Sequence, residues 1–141
     1  MDLKTCILAL LMSFSFPGCQ QLEVKQYLTG DWQYDLAAIR IEMDLRGSGF
    51  AERNYMESIM AGLQFATLGF LEKGRVQFEL DSLRQTGDWK LKKNGKQLMI
   101  RLTEKPQQYA IERRGRDTLL LDPLNGEGLA FPRMLIRKQK E

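Results

Sequence analysis

The side chains in this sequence that could carry acid or base chemistry are carboxylates. Histidine is absent from the 141 residues, which removes the commonest general base and the commonest metal ligand. Three carboxylate pairs lie close together in the sequence: Glu42 with Asp44, Glu79 with Asp81, and Glu52 with Glu57. Residues two apart on a strand share one face, and that face is polar here. Acid catalysis needs a carboxylate in an apolar pocket that raises its pKa. We therefore predict no enzyme, no cofactor and no metal site.

The two cysteines lie near the amino terminus, in a segment with the layout of a secretory signal. Lys4 precedes a mostly apolar run over residues 6–16. As a helix that run rises about 1.5 Å per residue, too little to cross a hydrocarbon core of roughly 30 Å. Gly18 then stands directly before Cys19. We predict a signal peptide over residues 1–18, cleaved between Gly18 and Cys19.

A small residue directly before a cysteine at the end of such a run resembles the lipobox of bacterial lipoproteins. The resemblance implies a diacylglycerol on the thiol of Cys19 and acylation of the new amino terminus. Phe16 and Pro17 differ from the commoner leucine and small polar residue. Each buried methylene adds about 0.8 kcal/mol of membrane affinity, so several acyl chains would hold the protein at a membrane. Two alternatives stay open: an ordinary signal peptide with an incidental cysteine, or the N-terminal helix of a cytosolic protein.

The resemblance also implies a location, the bacterial cell envelope, with the membrane as a partner through Cys19. Gln20 rather than an acidic residue follows the cysteine, which favours the outer membrane over the inner. The net charge of +3 is small and evenly spread, so we do not expect a nucleic-acid partner. A basic cluster lies near the end of the chain: Arg133, Arg137, Lys138 and Lys140. We expect it to be a solvated tail, with contact to an anionic surface as the alternative.

The rest of the chain is long enough for one domain. Residues 19–27 are mainly polar and predict a lipidated tether, followed by a domain over 28–141. Thr-Gly-Asp-Trp ends at Trp32 and occurs again ending at Trp89. A glycine just before a large indole allows close backbone approach beside a buried ring. We predict that both tetrapeptides lie on strands entering the core.

The stretch from Leu36 to Leu45 fits two periods. Ile39, Ile41 and Met43 alternate as in a strand, whereas Leu36, Ile39 and Met43 also fit one helix face. We favour extended structure. A glycine-rich break over 46–49 follows.

A helix is predicted next, over about residues 49–69, with Ser48 as its N-cap. An apolar stripe recurs at helical spacing: Met56, Ile59, Met60, Leu63 and Thr67. Methionine is adaptable enough to face a ligand, and it also fills gaps in ordinary cores. Both interpretations of Met56 and Met60 stay open.

From Arg75 onward the apolar residues recur at every second position, as in strands with one buried face. Such runs lie on either side of Asn94-Gly95, the strongest short signal for a hairpin with a type I′ turn. Further strands are predicted over 108–113, 118–121 and 130–137. The pattern predicts a mainly β fold, an up-and-down antiparallel meander of roughly seven strands closing into a small barrel.

These features together resemble the lipocalin-like domains of small bacterial lipoproteins. The residues concerned are Leu28-x-Gly30-x-Trp32 on the first strand, a helical insertion after it, and a meander with Gly87-x-Trp89 and an Asn-Gly hairpin. The insertion also resembles that of the fatty-acid-binding members of the calycin group. The resemblance covers essentially the whole chain after the signal and implies a small barrel that often binds a hydrophobic ligand. It implies structural roles for Gly30, Trp32 and Gly87, with Trp32 closing the barrel floor.

Two functions follow as hypotheses. The first is a tethered domain that binds a small hydrophobic ligand, lined by residues of the helix and of the barrel interior: Met56, Met60, Leu63, Phe78, Trp89 and Ile100. The second is a structural or protein-interaction lipoprotein with a solid barrel and an envelope protein as its partner. A barrel of about eight strands is just wide enough either to be filled by its own side chains or to hold one small ligand.

Overall fold

The computed structural model of the chain describes residues 17–124 and 132–138. Within these residues, eight antiparallel strands form a closed barrel in which each strand pairs with the next and the last pairs with the first. The strands are β1 (Gly30–Tyr34), β2 (Thr67–Leu71), β3 (Arg75–Leu80), β4 (Leu83–Lys92), β5 (Gln97–Arg101), β6 (Gln107–Arg113), β7 (Thr118–Pro123) and β8 (Arg133–Arg137). The predicted mainly β fold, an up-and-down meander that closes on itself, is confirmed.

The helices are α1 (Pro17–Leu28), α2 (Leu36–Leu45) and α3 (Phe50–Leu63), and a short 3-10 turn (Glu72–Gly74) joins β2 to β3. Both α2 and α3 lie between β1 and β2, so the helical insertion after the first strand is confirmed. None of the helices within 17–124 and 132–138 has the length and apolarity that crossing a membrane requires.

The preference for extended structure over Leu36–Leu45 was wrong, because this stretch is α2. Asp35 caps the helix by accepting a hydrogen bond from the backbone N–H of Ala38 at 3.0 Å. Ile39 and Met43, four residues apart, are buried, while Ile41 is 61% exposed. Burial therefore follows the helical spacing rather than the strand alternation.

The helix predicted over about 49–69 is shorter in the structure and ends at Leu63. Its N-cap is Gly49 rather than Ser48. Thr67, which fitted the apolar stripe, instead begins β2, a strand that the sequence did not predict. Leu68, Gly69 and Phe70 are all buried in this strand, so it lacks the alternation that signals a strand with one exposed face.

The amino-terminal region divides into two parts. The predicted signal segment up to residue 16 lies outside the described residues, as do residues 125–131 and 139–141. Gly18 and Cys19, the predicted cleavage and lipidation residues, belong to α1, and so does the predicted tether over 19–27. Tyr27 and Leu28 at the end of α1 are buried in the core of the barrel.

The hairpin between β4 and β5 is present, and two overlapping turns form its loop. The backbone N–H of Gly95 donates to the carbonyl of Lys92 at 3.2 Å, which makes Lys93 and Asn94 the central residues. Their φ angles of 53° and 58° are the positive values that a type I′ turn requires. In the second turn the backbone N–H of Lys96 donates to the carbonyl of Lys93 at 3.2 Å, so the predicted pair, Asn94 and Gly95, is central there, with φ angles of 58° and 85°.

Candidate ligand-binding site

A cavity of about 220 Å³ lies at one end of the barrel. Its apolar walls are Leu63, Leu68, Phe78, Ile100, Leu102 and Leu121. Its polar lining residues are Tyr34, Gln85, Thr103, Lys105, Gln107, Tyr109 and Arg133. In an up-and-down barrel each strand ends beside the start of the next. Lining residues from different strands therefore meet at the same end of the barrel. The cavity therefore combines an apolar wall with a set of polar groups.

Arg133 is the centre of a polar cluster in this lining. Its guanidinium donates a hydrogen bond to the Tyr34 hydroxyl at 3.2 Å. It lies 5.8 Å from the centre of the Tyr34 ring and 6.0 Å from that of Tyr109. The Tyr109 hydroxyl in turn donates to the side-chain carbonyl of Gln107. A cation and two phenols thus share one wall of the cavity.

The surroundings set the charge state of this cluster. Burial opposes the charge of Arg133, but the Tyr34 and Tyr109 oxygens and the hydrogen bond to Tyr34 outweigh it and raise its pKa above the usual value. Burial raises the pKa of Tyr109, and the nearby Arg133 offsets only part of that rise. Near neutral pH the wall therefore carries a permanent cation beside a protonated Tyr109 phenol.

The structure divides the residues proposed to line a ligand site. Leu63, Phe78 and Ile100 border the cavity. Met56 and Met60 are fully buried on the inner face of α3 and belong to the core. These two methionines therefore support α3 on the barrel.

Trp89, the remaining residue of that set, also belongs to the core. Its indole N–H donates to the backbone carbonyl of Leu71 at 3.0 Å. Its ring packs edge-on against Phe70, with 5.5 Å between the ring centres. Because Leu71 is the last residue of β2, Trp89 lies toward the end of the barrel opposite the cavity.

Trp32 and Arg137 close that opposite end. The Arg137 guanidinium lies 4.4 Å from the centre of the Trp32 ring. It also donates hydrogen bonds to the backbone carbonyls of Tyr27 at 2.6 Å and Thr29 at 3.3 Å. The Trp32 indole N–H donates to the carbonyl of Leu28 at 2.8 Å. The end of α1 is thus fastened to the first and last strands.

Further contacts hold α1 across the same end. The Tyr27 hydroxyl bonds to the carbonyls of Thr118 at 2.8 Å and Gly115 at 3.1 Å, next to the turn between β6 and β7. The Arg113 guanidinium lies 3.9 Å from the centre of the Tyr27 ring. Val24 packs against Gly95 in the turn between β4 and β5. The helix therefore covers the floor of the barrel.

The expected solvated tail was wrong for Arg133 and Arg137, because both lie on β8. Arg133, Leu135 and Arg137 alternate along one face of the strand, and Leu135 is fully buried. Arg133 therefore reaches the cavity and Arg137 reaches the floor. Met134, Leu135 and Ile136 form an unbroken apolar run between the two arginines, so no alternation in the sequence identifies their positions.

Two of the paired carboxylates, Glu57 and Asp44, form ion pairs with arginines between α2 and α3. Glu57 accepts hydrogen bonds from Arg40 at 2.9 and 3.1 Å, and Arg53 pairs with Asp44. The hydrogen bond from Arg40 lowers the pKa of Glu57 below its usual value. An acid catalyst needs the opposite shift. These carboxylates therefore connect α2 to α3.

No protein-family model matches the chain, and no curated protein matches it. The barrel itself, antiparallel and up-and-down with eight strands in the described residues, is consistent with a lipocalin-like fold. That fold is compatible with a ligand-binding domain.

Proposed function

We propose that the protein is a membrane-anchored envelope lipoprotein whose lipocalin-like barrel binds a small hydrophobic ligand. The observation that carries this proposal is the cavity of about 220 Å³ inside one end of the barrel. Six apolar side chains form its walls. A concave, mainly apolar site with a few convergent polar groups is typical of small-molecule binding.

The lining also suggests the chemistry of the ligand. The apolar walls favour a hydrocarbon body, and its burial contributes about 25 cal/mol for each Å² removed from water. Arg133, a cation in the cavity lining, favours an oxygen acceptor or an anionic group on that body. The volume is below the roughly 300 Å³ at which sites for drug-sized ligands begin. The proposed ligand is therefore a small amphipathic molecule.

Native mass spectrometry tests the ligand-binding part of this proposal. The soluble form, Gln20 to Glu141, is purified gently, and its mass is compared with that of the denatured chain. An extra mass that disappears on denaturation is expected. Ile100→Trp, which places a larger side chain in the cavity wall, should abolish the extra mass. The control Ile41→Trp, at an exposed position on α2, should retain it.

The membrane anchor is tested separately by cell fractionation of the full chain. Cys19→Ser should move the protein from the membrane to the soluble fraction, because the thiol that receives the lipid is gone. Cys6→Ser is the matched control, since this cysteine lies within the predicted signal. Membrane association that survives Cys19→Ser would contradict the anchor.

An alternative function, protein interaction through a barrel without a ligand, is favoured by one observation. Leu45 and Phe50, at the ends of α2 and α3 that face each other across the connecting turn, are 77% and 81% exposed. Large exposed apolar side chains near one another are a feature of binding surfaces. Equal native and denatured masses, with loss of a captured envelope partner in a Leu45→Ser, Phe50→Ser variant, would support this alternative.

A further inference from the structure

The proposed lipid anchor and the cavity lie at opposite ends of the barrel. The anchor residue Cys19 belongs to α1, and α1 covers the floor. Val24 and Gln21 lie beside Gly95 in the turn between β4 and β5, where a Cβ added to the glycine would be 3.0 Å from Val24 and 3.5 Å from the Cα of Gln21. Tyr27 bonds beside the turn between β6 and β7. Both turns are at the floor.

The cavity residues come from the other end of the strands. Tyr34 is the last residue of β1, and Arg133 is the first residue of β8. Thr103 and Lys105 lie in the connection between β5 and β6, which is at the end away from α1. Strands of this length rise about 3.3 Å per residue and are tilted by roughly 40° to the barrel axis, so about 12–15 Å separate the two ends of the barrel.

The segment that connects the proposed anchor to the barrel is very short. Gln21 already lies beside Gly95 at the floor, so two residues, Cys19 and Gln20, separate the anchor from this position. Even a fully extended chain spans at most about 3.6 Å per residue, which gives two residues a reach of roughly 7 Å. That reach is well below the height of the barrel. A lipid on Cys19 therefore holds the floor close to the bilayer.

We propose that the anchored protein presents its cavity away from the bilayer that holds its lipid, so that the ligand enters from the aqueous compartment. The ligand class that this orientation selects is an amphipathic molecule dispersed in water, rather than one that moves sideways out of the anchoring bilayer. This inference rests on the proposed anchor at Cys19. It adds the orientation of the cavity and the compartment from which the ligand enters.

Fluorescence quenching in membranes tests the orientation with the full chain. Both native cysteines are accounted for, Cys6 in the cleaved signal and Cys19 under lipid, so an engineered cysteine is the one reactive thiol in the mature protein. Arg116→Cys places a fluorophore in the exposed turn between β6 and β7 at the floor. Ser82→Cys places the same fluorophore in the exposed turn between β3 and β4 at the cavity end. The membranes contain phospholipid with a nitroxide on its headgroup.

The label at Arg116→Cys should lose most of its fluorescence, and the label at Ser82→Cys should keep most of its own. Equal quenching of the two labels, or stronger quenching at Ser82→Cys, would overturn the inference while the protein still sediments with the membrane. A protein absent from the membrane would overturn the anchor itself, and fractionation distinguishes that result from a wrong orientation.

A lengthened linker tests whether the short connection sets the orientation. A flexible glycine-serine segment is inserted between Gln20 and Gln21 in both labelled proteins. The difference in quenching between the two labels should then shrink, because the barrel can turn relative to the bilayer. An undiminished difference would show that the short connection does not orient the cavity.

Discussion

The guanidinium of Arg137 lies over the indole of Trp32, 4.4 Å from the centre of the ring, and the two residues are paired across β1 and β8. A cation over a desolvated indole is stabilising, and so are the hydrogen bonds from the same guanidinium to the carbonyls of Tyr27 and Thr29. One side chain thus connects the first strand, the last strand and the helix on the floor.

Replacing this side chain should weaken the whole barrel. Arg137→Met keeps an unbranched side chain and removes the charge and the donors, so we expect the free energy of unfolding to fall by about 2–3 kcal/mol. Urea unfolding followed by tryptophan fluorescence measures the change. The control Arg84→Met removes a solvent-exposed ion pair with Glu79 and should leave the midpoint unchanged. Equal losses of unfolding free energy in the two variants would show that the contact of Arg137 with Trp32 does not stabilise the barrel more than a surface ion pair does.

Gly87 should be intolerant of any side chain. A Cβ at this position would lie 1.8 Å from the backbone oxygen of Arg101, and that oxygen cannot move without disturbing β5. Gly87→Ala should therefore cost about 3 kcal/mol or prevent folding. Gly62→Ala is the matched control, because nothing lies within 4 Å of its Cβ position on α3. That variant should gain about 0.5–1 kcal/mol, since alanine favours a helix. Thermal unfolding of both variants measures the contrast.

Stability should decrease in alkaline solution. Burial raises the pKa of Tyr109, which faces Arg133 and Tyr34, and also that of Tyr27, which faces Arg113, Arg137 and Asp117. Below pH 10.0, the ordinary pKa of tyrosine, both phenols are protonated in the folded and unfolded chains, so stability does not change with pH through them. Above it the unfolded chain releases these protons first, so stability falls as the pH rises.

Urea unfolding at about pH 9 and about pH 11 measures this loss. A Tyr27→Phe, Tyr109→Phe variant should lose less stability between the two pH values than the native chain does. An identical loss of stability in both proteins would show that groups other than Tyr27 and Tyr109 cause the alkaline sensitivity.

The two sets of apolar residues on α3 should respond differently to truncation. Met60 is fully buried in the core, so Met60→Ala should lower the free energy of unfolding by about 2–5 kcal/mol. Leu63 is partly exposed and lines the cavity, so Leu63→Ala should cost less. The main effect of Leu63→Ala should be a change in the extra mass that the native protein carries in mass spectrometry. A larger stability loss for Leu63→Ala would contradict this division.

Much of the barrel was predictable because its middle strands, such as β4 and β5, bury alternate residues. Val76 and Trp89 lie at buried positions that recur with a period of two. The stripe of Met56 and Met60 likewise predicted α3. Where both interpretations of a pattern fitted, as for Ile39 and Ile41, only packing decided which residue was buried. Periodicity was uninformative for β2 and β7, because each strand has three consecutive buried residues.

The candidate site was harder to predict than the barrel. Leu63, Phe78 and Ile100 were proposed from their apolar character, and they border the cavity. The polar cluster was missed, because Tyr34 and Arg133 are distant in sequence and meet only when β8 closes against β1. The charge of Arg133 indicated solvent, and the unbroken apolar run from Met134 to Ile136 beside it does not indicate the interior.

The pairing of β1 with β8 also determines when this protein can finish folding. These strands lie at the two ends of the domain, so the barrel stays open until the last strand is available. Contacts between such distant segments are slow to form, and folding on a timescale of roughly milliseconds to seconds is expected. Until then the edges of β1 and β7 are free to pair with other chains. A chain that stops before Arg133 would keep both edges and should aggregate rather than fold.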